Sequence, residues 1–226
     1  MNHRFGSSFK RLCCNLYSVR IITLAHTCLN NAEAQHLSEK LRVFLSVHIT
    51  DEPLLARISN IQRRLDQEAA KLKLVEKENI HFTFRFFGDT SLSRIEEMRK
   101  TLETVSIDPF TISIAGVGAF PSSHRPNVIW VGVNQNAERM AELKTKIDVL
   151  LANLGYPPEK NFKAHATIAR VRALRNRERL LNNLELLARE AVGTMTVSAF
   201  QMTKSTLKPS GPVYETLWEI PSRKPD

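Results

Sequence analysis

The sequence predicts an α+β fold: two similar lobes of mostly antiparallel sheet, flanked by helices, around a central cleft that carries two H-x-T motifs. Three observations carry this expectation. Strand and helix periods mix along the chain, yet many neighbouring strands have no crossover helix between them, which favours antiparallel over doubly wound parallel sheet. One strand-helix unit occurs twice, with His and Thr at the same places in each strand. The length, 226 residues, suits a single domain of two fused lobes.

The elements follow in order. Residues 41–49 (LRVFLSVHI) alternate well enough for a strand. Asp51 suits an N-cap with Pro53 in the first turn, and opens a helix expected to run to about Lys71. Its Leu54, Leu55, Ile58, Ile61 and Leu65 form a core-facing stripe. A second strand covers 80–87 (IHFTFRFF), and Ser91 or Ser93 caps a helix to about Val105. Strands at 110–119 and 127–133 precede an amphipathic helix at 136–154, which Gly155 and Pro157 stop. A strand at 164–171, a helix at 176–190, and strands near 195–204 and 213–220 complete the list.

Residues 1–40 read differently. They hold Cys13, Cys14 and Cys28, no acidic residue before Glu33, and an apolar cluster around Ile21, Ile22 and Leu24 that is too short for a secretory core. An organellar transit peptide would fit this composition. The favoured reading is an extension outside the domain, mobile or translated from upstream sequence, with the domain itself at 41–226. From Leu41 onward there is no cysteine, so a disulfide framework or a cysteine zinc site is excluded there. That suits a reducing cytoplasm. No apolar run is long enough to span a membrane. The net charge is +9, which suits a polyanionic partner but also an ordinary solvated basic surface.

The chemistry lies in the histidines. Beyond residue 40 there are four: His48, His81, His124 and His165. Two begin H-x-T-hydrophobe runs, His81-Phe82-Thr83-Phe84 and His165-Ala166-Thr167-Ile168. Fifteen threonines in the chain give any histidine about one chance in fifteen of a threonine two places on. In a strand, residues i and i+2 share a face, so His81 and Thr83 point together while Phe82, Phe84 and Phe86 point away. His165 and Thr167 pair likewise. Two imidazoles across a cleft make an acid-base pair near neutral pH, one neutral and one protonated. A hydroxyl beside each can bind the oxygens of a phosphate held between them. The bland reading, strand histidines satisfied by backbone groups, suits either motif alone better than both in matching contexts. Two histidines without a third ligand make a poor zinc site, so no metal and no other cofactor is expected.

At these residues the chain resembles the 2H phosphoesterase superfamily, and within it the RNA 2',3'-cyclic phosphodiesterases of bacteria and archaea, historically called 2'-5' RNA ligases. The resemblance runs from about Arg42 to Ile220 through RVFLSVHI, ENIHFTFRFFGD, GVGAFPSSHRPNVIWVGV, NFKAHATIARV and STLKPSGPVYETL. Leu41 sits where family members often begin with Met. The resemblance implies two similar lobes and hydrolysis of RNA 2',3'-cyclic phosphate ends to 2'-phosphomonoesters without a metal. It implies His81 as proton donor to the leaving ribose oxygen and His165 as the base that activates water. Thr83 and Thr167 would hold the phosphate. The family also tends to carry Arg five residues after the second His, here Arg170; strict alternation would turn Arg170 away from His165, so its part requires a bulge or strand end. Phe44, Phe120 and Tyr214 are candidates to stack a base or cover the cleft.

Two other functions are carried alongside: ATP-independent 2'-5' ligation by the reverse reaction, and an RNA- or nucleotide-binding module without turnover. The expected partners are RNA ends or nucleotides with a 2',3'-cyclic phosphate, and the expected state is a cytoplasmic monomer without membrane attachment.

Overall fold

Among the described residues, nine strands form one continuous antiparallel sheet that folds into two lobes, accompanied by four α-helices. The computed structural model describes residues 39–209 and 211–222; the expected extension therefore lies, but for Glu39 and Lys40, outside the described residues. In chain order the elements are β1 (Lys40–His48), α1 (Glu52–Arg64), β2 (Ala70–Leu74), β3 (His81–Ser91), α2 (Leu92–Leu102), β4 (Phe110–Ser122), β5 (Arg125–Gln135), α3 (Ala137–Ala152), β6 (His165–Leu174), α4 (Arg177–Leu187), β7 (Ala191–Val197), β8 (Ala199–Lys208) and β9 (Gly211–Pro221). A 3₁₀ turn at Lys77–Asn79 leads into β3.

The strand order is β7-β4-β5-β6-β3-β1-β8-β9, with β2 also paired to β6. Four strands of this path thus lie on each side of the β6–β3 junction, with β2 outside it. One register pair, Phe82 with Ala166, joins the two motif strands there. Each motif strand has its own inner neighbour, β1 for β3 and β5 for β6. Helices follow the strands in the same sequence in both lobes, as expected for a repeated unit.

Local chemistry sets the ends. The Asp51 carboxylate accepts from the Leu54 N–H at 2.9 Å, and Pro53 occupies the first turn of α1. The helix stops at Arg64 rather than near Lys71. The Asp66 carboxylate accepts from the N–H groups of Glu68 and Ala69, closing a turn that competes with a further helical one. Residues 70–74 then form β2 against β6. Ser91 is the cap of α2, and Gly155, at φ +82°, follows the last turn of α3 where a left-handed residue is needed. The strand expected at 195–204 is two strands, broken at Ser198: β7 pairs with β4 in one lobe and β8 with β1 in the other.

The core runs through both lobes. Leu54, Leu55, Ile58 and Ile61 of α1, Phe82 and Phe84 of β3, and Ala166, Ile168 and Ala169 of β6 are all buried in it. At ~25 cal/mol per Å² of apolar surface removed from water, each large side chain adds about 1.5–3 kcal/mol.

Candidate active site

Both motif strands carry a bulge at the same step. On β3, Leu45 faces Arg85 and Ser46 faces Thr83, so Phe84 is an extra residue. On β6, Ile129 faces Ala169 and Trp130 faces Thr167, so Ile168 is extra. Two consecutive residues are buried at each bulge, Phe84 with Arg85 and Ile168 with Ala169. The alternation then resumes in the opposite phase. Arg170 accordingly shares the face of His165 and Thr167 and lines the cleft. The same shift corrects the expectation for Phe86. Strict alternation put it with Phe82 and Phe84, but it is 62% exposed and lines the cleft with His81 and Thr83.

The two strands bring His81, Thr83, His165, Thr167 and Arg170 to one cleft of about 1080 Å³ between the lobes. Each histidine is aimed in the same way. His81 donates from Nδ1 to the carbonyl of Asn79, and His165 from Nδ1 to the carbonyl of Lys163, both at 2.7 Å and both two residues upstream. A carbonyl only accepts, so each Nδ1 carries the proton and each Nε2 remains for exchange with a ligand.

An aromatic ring supports each imidazole. The Phe44 and Phe120 centroids lie 4.8 Å from those of His81 and His165, respectively. Tyr214 stands edge-on to His81 at 5.3 Å and to Phe44 at 5.1 Å. Behind His165, Trp130 packs on Phe120 at 5.2 Å, with the Lys163 ammonium 4.2 Å from its ring. Gly118 makes room for this indole, since a Cβ there would fall 2.3 Å from it. The three aromatics expected at the cleft are all in its lining, and each lies against a motif histidine.

Electrostatics favour neutral imidazoles in the ligand-free protein. Burial is the largest influence on His81; together with the charges of His48, His165 and Arg170 it outweighs the Asn79 hydrogen bond and pushes the ring down to about 4. His165 is lowered too, by burial first and by the Lys163 charge, against the bond to the Lys163 carbonyl. An anion held between the rings opposes both shifts.

Several contributors are not marked by the motifs. The carbonyls of Asn79 and Lys163 sit at equal offsets from the histidines, and that symmetry is the signal that could have found them. His48 lies opposite His81 in the β1–β3 register, with ring centroids 5.5 Å apart. A buried charged group anchors the far wall. Arg85 pairs with Asp148 of α3 at 3.2 Å and donates to the Pro157 carbonyl at 2.8 Å, while Lys144 bridges Asp148 and Glu159. The segment leading to Lys163 and His165 is held by this cluster.

A family model described as LigT-like phosphoesterase matches residues 49–130 and again 131–214. The chain is 40% identical over 179 residues to the RNA 2',3'-cyclic phosphodiesterase of Methanothermobacter thermautotrophicus, across 77% of this chain and 95% of that protein. It is 33% identical over 168 residues to the RNA 2',3'-cyclic phosphodiesterase of Aeropyrum pernix, across 74% of this chain and 96% of that one. Among solved structures, Escherichia coli LigT complexed with 3'-AMP superposes with a TM-score of 0.67 at 19% identity, over 82% of this chain and all of that one. A protein of Thermus thermophilus gives the same TM-score at 24% identity, over 80% of this chain and 97% of that one. These two likenesses concern the fold.

Proposed function

The chain belongs to the LigT-like phosphoesterase family, and on that premise we propose that it hydrolyses RNA 2',3'-cyclic phosphate ends to 2'-phosphomonoesters through His81 and His165. The observation that carries this reading is the equal aiming of the two imidazoles into one cleft, each with Nδ1 committed to a carbonyl and Nε2 left for proton transfer.

The reaction then needs only groups already in the cleft. A water between His165 and phosphorus gives its proton to Nε2 of His165 as its oxygen attacks. The phosphorus–3' oxygen bond breaks in line with that attack. Nε2 of protonated His81 delivers the proton the departing oxygen needs, and the phosphate stays on the 2' oxygen. The Thr83 and Thr167 hydroxyls and the Arg170 guanidinium stabilise the non-bridging oxygens as charge builds there. The cyclic phosphate is an anion, and its arrival raises the affinity of His81 for the proton it must carry. Phe44, Phe120 and Tyr214 hold the rings and wall off water.

The test is turnover of a 2',3'-cyclic mononucleotide followed by phosphorus NMR. A 2'-phosphate product is expected. A 3'-phosphate would reverse the assignment of the leaving oxygen, and tight binding without turnover would make the protein a binding module.

A further inference from the structure

The cleft is made by two copies of one strand plan, so equivalent positions can be compared within a single chain. Five and seven residues after the histidine, β3 supplies Phe86 and Gly88, whereas β6 supplies Arg170 and Arg172. All four line the cleft. The fold is satisfied by a phenylalanine and a glycine in one lobe, so it does not require two arginines in the other.

Lys73 of β2 is the register partner of Arg170 and adds a further cation beside it. Among the described residues neither Arg170 nor Arg172 has an ion-pair partner. Lys163 adds another cation to the same flank, while the His81 flank presents Phe44, Phe86 and Tyr214, with Arg42 and with Arg85 already paired to Asp148. Two arginines that line the cleft without an ion-pair partner among the described residues point to an anion outside the protein.

Spacing identifies that anion. Alternate residues of a strand are about 6.6 Å apart, close to the separation of successive phosphates along an extended RNA strand. Thr167 and Arg170 both face the reacting phosphate across the bulge, and Arg172, two residues beyond Arg170, is displaced from it along the strand by nearly that step. We propose that Arg172 holds the phosphodiester preceding the terminal nucleotide, so that the cleft takes a polynucleotide end in preference to a free cyclic nucleotide. This rests on the cyclic-phosphate reading above and extends it along the strand.

The experiment compares kcat/KM for a 2',3'-cyclic mononucleotide and for a tetranucleotide ending in a 2',3'-cyclic phosphate, at several salt concentrations. Wild-type protein, Arg172→Gln and Arg172→Lys are measured. The wild type is expected to prefer the tetranucleotide at least about tenfold, the effect of one charge-assisted contact. Arg172→Gln should lose about tenfold more on the tetranucleotide than on the mononucleotide. Its slope of log kcat/KM against log salt should flatten by about 0.7, the value for one phosphate contact on a single strand. Arg172→Lys should keep the slope. Equal losses on both substrates, an unchanged slope, or a wild type without length preference would overturn the subsite. Failure to hydrolyse either substrate would instead overturn the reading beneath it.

Discussion

Gln62 donates from its side-chain amide to the carbonyl of Ile168, the extra residue at which β6 bulges. The same amide donates to the carbonyl of Val75, and the Val75 N–H donates back to Ile168. A buried glutamine on α1 thus clamps the irregularity that turns Arg170 into the cleft. Gln62→Leu is expected to cost about 1–3 kcal/mol, because both donated bonds are lost and the Ile168 carbonyl keeps only the Val75 N–H. KM for a cyclic nucleotide should rise as Arg170 loses its aim. Urea unfolding and steady-state kinetics on one preparation check both effects; an unchanged KM would uncouple the clamp from the site.

Loss of either motif histidine should be far more severe. His81→Ala or His165→Ala is expected to lower kcat by about 10²–10⁴-fold, the range for a general acid or base. Thr83→Ala or Thr167→Ala should cost about 10–100-fold, one hydrogen bond to a charged group. Assays on a cyclic mononucleotide check the order. Wild-type turnover in His81→Ala would remove the two-histidine mechanism.

The pH dependence follows from the depressed imidazoles. In the free protein both rings titrate below the ordinary 6.5, His81 near 4. The profile of kcat/KM should be a bell with both limbs under 6.5. That of kcat should lie at higher pH, since bound phosphate raises both rings. Stability has the same origin. The unfolded chain takes up a proton near 6.5 and folded His81 only near 4, so stability is lost as pH falls through that window, by up to about 3 kcal/mol. Urea titrations of wild type and His81→Gln from pH 7 to 4 isolate the effect: the wild type should lose more.

Much of this arrangement was legible in the chain. The His–Thr offset of two is local to a strand, so both motifs and the strands bearing them could be read directly. The bulges could not. Whether Phe84 or Ile168 is an extra residue depends on how β1 and β5 pair with these strands, and the burial of charged Arg85 runs against its own polarity. Strand β2 was hidden for a related reason. Ala69-Ala70-Lys71-Leu72 has good helical propensity after the α1 stripe, and the Asp66 turn and pairing with β6 override it. The break at Ser198 separates two apolar stretches that only their different partners, β4 and β1, distinguish.

The charged anchor should be intolerant of partial removal. Arg85, Asp148 and Lys144 are all buried, and breaking such a group by removing one partner costs about 3–5 kcal/mol. Asp148→Asn is expected to lower stability toward that range and to lower kcat, since the segment leading to Lys163 and His165 loses its tether. Glu159→Gln, at the exposed end of the cluster, should cost much less. Denaturant melts of the two variants side by side check this; equal melts would mean that the anchor carries no strain-bearing charge.

The pairing of β1 with β8 has a consequence for how the protein comes into being. Strand β1 is among the first parts of the domain to leave the ribosome, and β8 and β9 are the last of the described strands to do so. Until they emerge, the outer edge of β1 is open, offering the backbone around Val43 and Leu45 to any extended segment nearby. A nascent chain halted before Ala199 would already contain both motif histidines, yet the lobe around His81 would be only half built. Completion of the cleft is thus a closing event of synthesis, since an unfinished chain lacks the wall that Ser205, Leu207, Pro212 and Tyr214 supply.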